Sequence, residues 1–290
     1  MTKWSLSTLS RLKSDWLFTV VTRSSACVAA AIVFLVVAFL ISESIPAIRQ
    51  IGVGRFITDA SWHPLSDQFN LTPMIVASLT ITLGAILIAA PLGISAAIYC
   101  QFYAPTAIAV WYRRLIELLS GIPSVVFGLW GLVVLAPIVA RLGGSGQSIL
   151  TASLVLGLMI LPTVALTTQA ALRSVPGEWL AGGAALGFCR SSTIRRIALP
   201  AARRGILGGL LLALARAMGE TMAVLMLAGN VVEMPDSIVA PARTLTANIA
   251  LEMGYATAGH RSVLFVSGLF LIAIVAVSVS LAGFGGAVDE

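Results

Sequence analysis

Residues 205–229 read GILGGLLLALARAMGETMAVLMLAG, a run of 25 residues that is apolar or small throughout except at Arg216, Glu220 and Thr221. A helix needs roughly 20 such residues to cross the hydrocarbon core of a bilayer. The run is long enough, so it carries a guanidinium into the membrane. Arg216 is the twelfth residue of the run, roughly 15–18 Å from its nearer end at 1.5 Å per residue, too deep for the side chain to snorkel out. An arginine at a helix centre costs about 2.5–3.5 kcal/mol even on the lenient insertion scale. Glu220, four residues on, falls on the same face of a continuous helix, and Ala213, Ala215, Ala217 and Gly219 leave room for another helix or a substrate to come close. The spacing therefore predicts an Arg216–Glu220 ion pair with one of two roles. It fixes helix packing, or it lines an anion path in which Glu220 holds a guanidinium whose parallel N–H donors suit a tetrahedral oxyanion. An ionisable group at that depth points to function by default.

The rest of the chain is equally apolar. Of its 290 residues 58% are hydrophobic and 10% charged, and the mean hydropathy is +0.99. Soluble domains carry about 25% charge, so a cytosolic globular enzyme, a nucleic-acid-binding domain and a disordered chain are all excluded. Cys27, Cys100 and Cys189 are too scattered for a disulfide framework or a metal knuckle. Six stretches are long enough to span, at 19–42, 73–100, 115–140, 148–171, 205–229 and 262–286. The first outruns a signal-peptide core and is expected to be a retained helix.

Charge placement orients the bundle. Lys3, Arg11, Lys13, Arg23, Arg113, Arg114, Arg173, Arg190, Arg195, Arg196, Arg203 and Arg204 fall on one side, while Arg49, Arg55, Arg141, Arg243 and Arg261 fall on the other among Glu43, Asp59, Asp67, Glu233, Asp236 and Glu252. The positive-inside rule then puts both termini in the cytoplasm. The external loop 43–72 is expected to be ordered, and loop 230–261 has room for a short helix or a re-entrant segment. Pro91, Pro123 and Pro162 interrupt three of the spans, and such breaks persist in lipid only beside neighbours or a water-filled cavity. Arg243, just past the fifth span, either draws anions to the mouth of a path or is a solvated loop charge. Glu117 lies near enough to an interface to reach it.

The longest and most basic cytoplasmic segment is 172–204. It holds Ala181-Gly-Gly-Ala-Ala-Leu-Gly187, then nine residues, then Ile197-Ala-Leu-Pro200. Gly187 permits a tight turn and Pro200 suits a helix start, so two short helices across the membrane face are expected to form a knob for a partner. A phosphate-binding P-loop needs a lysine after its glycines, and the chain has only Lys3 and Lys13, neither so placed. Nucleotide hydrolysis, if transport uses it, belongs to another polypeptide.

With these residues set out, the chain resembles the permeases of bacterial ABC importers, whose cytoplasmic motif is E-A-A, three residues, G, nine residues, I-x-L-P. Gly187, Ile197, Leu199 and Pro200 match it, while Ala181 stands where the family has its acidic residue and Gly182 and Gly183 where it has alanines. Glu117-Leu-Leu-Ser-Gly-Ile-Pro-Ser-Val-Val-Phe-Gly128, Arg216-Ala-Met-Gly-Glu-Thr-Met-Ala-Val224 and Thr244-Leu-Thr-Ala-Asn-Ile-Ala250 are similar to the phosphate-specific permeases, and Gly229-Asn230 to their C-type subunit. The likeness covers about residues 73–285. It implies an all-α integral membrane protein of the bacterial inner membrane with six transmembrane helices and the type I permease fold. The permease domain would occupy 73–286 with coupling loop 172–204, preceded by a tail, first helix and external loop in 1–72 and followed by a tail at 287–290.

The implied protein is a transport subunit, not an enzyme, with no catalytic residue, metal or cofactor of its own. ATP and Mg would be bound by two partner ATPase subunits. A homologous A-type permease, an extracytoplasmic phosphate-binding protein and the lipid bilayer complete the partners, and nucleic acid has no part. The implied path residues are Arg216, Glu220 and Arg243, and the implied ATPase contact is Ala181, Gly187, Ile197, Leu199 and Pro200. Three rivals compete. A stand-alone anion carrier would not need the coupling loop. An intramembrane serine protease at Gly143-Gly-Ser-Gly146 lacks a base, since His63 and His260 fall in external loops. An importer of sulfate, molybdate or phosphonate differs only in cargo.

Overall fold

The computed structural model describes residues 5–141 and 143–287; Lys3 and the tail beyond Ala287 lie outside them. Helix α1 runs unbroken over Ser5–Ile51, a stretch without glycine. It ends where Gly52 turns at φ +82, a conformation that costs other residues roughly 1–2 kcal/mol. After the single turn α2 (Arg55–Thr58), a small antiparallel hairpin pairs β1 (Trp62–His63) with β2 (Gln68–Phe69), Trp62 opposite Phe69. The Phe69 amide (3.0 Å) and the Arg55 guanidinium hold the Asp59 carboxylate below its ordinary pKa. The loop expected to be ordered is ordered.

Helix α3 (Thr72–Ile98) begins with Pro73 in its first turn and ends in a wide π turn, Tyr99–Tyr103. The expected straight span 115–140 is not what forms. Helix α4 (Thr106–Gly121) stops, and α5 (Ser124–Trp130), a π turn (Gly131–Leu135) and α6 (Ala136–Ala140) leave at 93° to it. Ile122 takes an extended conformation, as a residue before proline must, and Pro123 has no N–H to continue the ladder. Among the described residues five helices are long and apolar enough to span, and six spans result if the bent pair is counted as one.

Helix α7 (Ile149–Arg173), capped by the Ser148 hydroxyl, is the axis of the core and packs along both α3 and the later α10. Small residues bring these backbones together: a Cβ on Gly93 would stand 2.8 Å from Val164 Cγ1, and one on Gly205 would stand 2.6 Å from the Ala171 Cβ. The short α8 (Gly177–Ala185) precedes one continuous rod in which α9 (Arg190–Thr193), a π turn (Ile194–Ala198) and α10 (Leu199–Met218) follow without a gap. The second of the two short helices expected across the face is therefore not separate: the wide π turn Ile194–Ala198 carries the helix through to Leu199 and Pro200 without a break. Then come α11 (Met222–Leu227), α12 (Leu245–Glu252) and α13 (Ala258–Ala287). Helix α1 leans on α13 and exposes Val28, Ile32, Phe34, Leu35 and Phe39, apolar side chains that belong in lipid or against another subunit.

Gly93→Ile should lower the thermal unfolding midpoint of the detergent-solubilised protein, because overpacking a well-filled site costs about 1–3 kcal/mol. Gly121→Ala, which meets nothing within 4 Å, should leave the midpoint unchanged. Equal midpoints would contradict the close α3–α7 approach.

Candidate functional site

The run 205–229 is not one helix. Helix α10 ends at Met218 and α11 begins at Met222, so Gly219, Glu220 and Thr221 form a break. Gly219 stands at the C-cap of α10, its amide still donating to the Ala215 carbonyl (3.2 Å). The break then closes on its own polar groups. The Glu220 carboxylate accepts from the Ala223 amide (3.3 Å), the Glu220 carbonyl accepts from Thr246 Oγ1 of α12 (3.0 Å), and the Glu220 amide donates to the Ala217 carbonyl (3.2 Å).

The expected Arg216–Glu220 pair is therefore overturned. The i to i+4 relation holds only along a continuous helix, and the chain leaves the helix between the two residues. Glu220 caps α11, where the partial positive charge of a helix N-terminus favours a carboxylate. Arg216, in the last turn of α10, is exposed, and among the described residues it makes no ion pair or side-chain hydrogen bond. It lies about 26 Å along the rod from Leu199 at 1.5 Å per residue.

A largely buried ion pair forms elsewhere, between Arg243 and Glu252. Arg243 donates from Nε to the Asn230 carbonyl (3.0 Å) and from Nη1 to Asn248 Oδ1 (3.1 Å) and Glu252 Oε1 (2.8 Å). Its side chain is 18% exposed, so it is not the solvated loop charge that its place in the sequence allowed. Glu252 also contacts His260 Nε2 (2.8 Å) and accepts from Trp62 Nε1 (3.1 Å to each oxygen). The knot thus ties the hairpin, the 230–243 segment, α12 and the start of α13. It borders a cavity of about 1100 Å³ between the end of α1, the hairpin and α13. Asn230 reaches Arg243 through a tight link. Gly229 (φ +90) and Asn230 (φ 57) turn the chain so that the Asn230 amide donates to the Ala242 carbonyl (3.1 Å). Trp62, Asn248, Glu252 and His260 were not singled out as site residues from sequence; the only local signal is a glutamate closing the apolar run that starts at Leu245.

The candidate coupling loop is well formed on the opposite face. Helix α8 ends in a Schellman closure: Phe188 N donates to Gly183 O (3.0 Å) and Gly187 N to Ala184 O (3.0 Å), with Gly187 at φ +78. Nothing lies within 4 Å of a Cβ built on Gly187, so backbone conformation, not space, calls for glycine there. At Gly183 α8 comes close to the rod: a Cβ there would stand 2.6 Å from Ile197 Cδ1, the tip of a flexible side chain that would have to shift. Ile197 thus locks α8 onto the rod, and Leu199 packs against the cluster of Leu172, Val175 and Ala202. Ala181 and Pro200 are exposed. Arg190 and Arg196 stack over Tyr103 (5.5 Å) and Phe188 (5.7 Å), and Glu117 pairs with Arg113 at 2.8 Å on the surface.

A helical bundle with five helices long and apolar enough to span among the described residues, and a further bent pair, is that of a polytopic membrane protein. The chain belongs to the family described as binding-protein-dependent transport system inner membrane component, which matches residues 89–285, and so is a multi-pass inner-membrane protein. It is 33% identical to the phosphate transport system permease protein PstC of Mesorhizobium japonicum, over 93% of this chain and 89% of that one. It is 40% identical to the probable ABC transporter permease protein YqgH of Bacillus subtilis, over 75% and 72%. Among solved structures, a bacterial ABC transporter involved in import of the acidic polysaccharide alginate superposes with a TM-score of 0.66 over 98% of this chain and 99% of that one at 17% identity. The inward-facing MetNI methionine ABC transporter superposes at 0.55 over 75% and 93%, with 18% identity. These two fix the fold.

Hydrogen bonds from Ser191 and Ser192 hold the exposed Cys189 thiol down to about 7. Maleimide modification at Cys189 should accordingly show a pH midpoint near that value. Replacing both serines by alanine should move the midpoint toward the ordinary thiol range of about 8.5. An unchanged midpoint would refute the serine contacts.

Proposed function

We propose that the chain is one permease subunit of an ATP-driven importer of inorganic phosphate, with a path passing Arg243 at its outer mouth and Arg216 at the α10–α11 break. The observation that carries the substrate is the likeness to a phosphate transport permease over 93% of the chain. The guanidinium of Arg216, unpaired among the described residues, supports the route. It keeps its N–H donors free for an oxyanion, and a cation with no protein counter-charge at that depth needs water, an anion or a partner subunit to face.

In this assembly both termini and the 172–204 loop face the cytoplasm, as twelve basic residues on that side against five on the other favour. Two ATPase subunits, which hold ATP and Mg, seat against α8, Ala181 and the Gly187 turn. Movement imposed on α8 passes through the Gly183–Ile197 contact to the rod 190–218, which delivers it to the break beside Arg216. A second, A-type permease closes the other wall of the path, and an extracytoplasmic phosphate-binding protein docks over the hairpin and α12. Arg216 attracts the ion without enclosing it, and a site that bound more tightly would stall turnover.

Arg216→Gln should cut phosphate uptake by the complex reconstituted in proteoliposomes by about ten- to a hundredfold, the loss expected for one charge-assisted hydrogen bond. Co-purification with the ATPase should persist. Normal uptake would remove Arg216 from the path.

A further inference from the structure

The guanidinium of Arg243 is held at two of its three nitrogens. Nε and Nη1 are both engaged, while Nη2 makes no hydrogen bond among the described residues. Arg243 and Glu252, the latter 6% exposed, both line the cavity of about 1100 Å³, as do the carboxylates of Asp67 and Glu233. The carboxylate is in turn held by Trp62 and His260, from the hairpin and α13. Asn248, fully buried, gives its oxygen to Arg243 and leaves Nδ2 unpartnered. A cation fixed by three bonds at the edge of a cavity, with Nη2 unengaged among the described residues and a carboxylate 2.8 Å away, is a donor whose net charge is largely cancelled.

We propose that Glu252 is a positioning residue that aims Arg243 Nη2 at an oxyanion entering the cavity and tempers its pull, so that the ion is handed inward and not retained. The inference rests on the path proposed above. A paired charge offers an incoming anion far less attraction than a free one, and close ion pairs inside proteins have coupling energies large enough to alter affinity by an order of magnitude. Glu252→Gln keeps the shape and one acceptor oxygen but removes the opposing charge. Asn248→Asp does the reverse, adding a carboxylate beside the guanidinium at a site already shaped for it.

The test is a titration of inorganic phosphate onto the detergent-solubilised complex without its soluble binding protein, read by phosphorus NMR line broadening, together with uptake turnover by the complete reconstituted system. Glu252→Gln should lower the Kd for phosphate about tenfold, a change of ~1.4 kcal/mol, and slow turnover. Asn248→Asp should raise the Kd by a similar factor. Adding Arg243→Gln to Glu252→Gln should abolish the gain. A merely structural role for Glu252 would not produce shifts of opposite sign. If Glu252→Gln leaves Kd unchanged or raises it while Arg243→Gln weakens binding, the tempering role is wrong and the path stands. If Arg243→Gln alone leaves Kd and uptake unchanged, Arg243 is not on the path. Should Glu252→Gln fail to assemble, Asn248→Asp decides alone, and an unchanged Kd there overturns the proposal.

Discussion

A helix that stops inside an apolar segment must find partners for the backbone groups it frees, because lipid supplies none. The organisation of this protein follows from how that demand is met at Gly219–Thr221. The Glu220 carboxylate caps α11, and the Glu220 carbonyl takes the Thr246 hydroxyl of α12. A glutamate that the spacing assigned to an arginine is spent on the backbone instead. Arg216 is left exposed at the end of α10 without a protein counter-charge among the described residues, and α12 is pinned to the break.

From there the structure extends to both faces. Helix α12 joins the break at its N-terminal end to the Glu252 knot at its C-terminal end, with the Leu245 amide held by Ser78 Oγ (3.0 Å) on the way. In the other direction, the rod from Arg190 to Met218 connects the break directly to the Gly187 turn and the Gly183–Ile197 contact. Packed, hydrogen-bonded elements of this kind are the physical medium through which distant sites couple. One face ends in arginines stacked on aromatic rings, the other in a carboxylate shared by an arginine, a histidine and a tryptophan.

Much of this was legible in the sequence because the bilayer imposes a length. The spans at 73–100 and 148–171 coincide closely with α3 and α7, and Gly187 makes the tight turn expected of it. Breaks were harder to read. A proline within an apolar run marks a kink but not its angle, so Pro123 gave no warning of a 93° bend, while Pro91 and Pro162 lie inside helices that continue. The spacing of Arg216 and Glu220 was misleading for a related reason: i to i+4 arithmetic presumes the helix that Gly219 ends. The Glu252 knot was out of reach altogether, since Trp62, Arg243, Glu252 and His260 meet only through tertiary packing and no periodicity links them.

The central claim is that the exposed end of α10 faces an aqueous route for an anion. The most direct test is the reactivity of a single cysteine at that position, Arg216→Cys in a background lacking Cys27, Cys100 and Cys189, toward charged methanethiosulfonate reagents in the assembled, membrane-embedded transporter. The account predicts modification by charged reagents that is slowed by inorganic phosphate. A cysteine there that no charged reagent reaches from either side of the membrane would mean the position faces lipid or a sealed subunit contact, and the route would have to lie elsewhere.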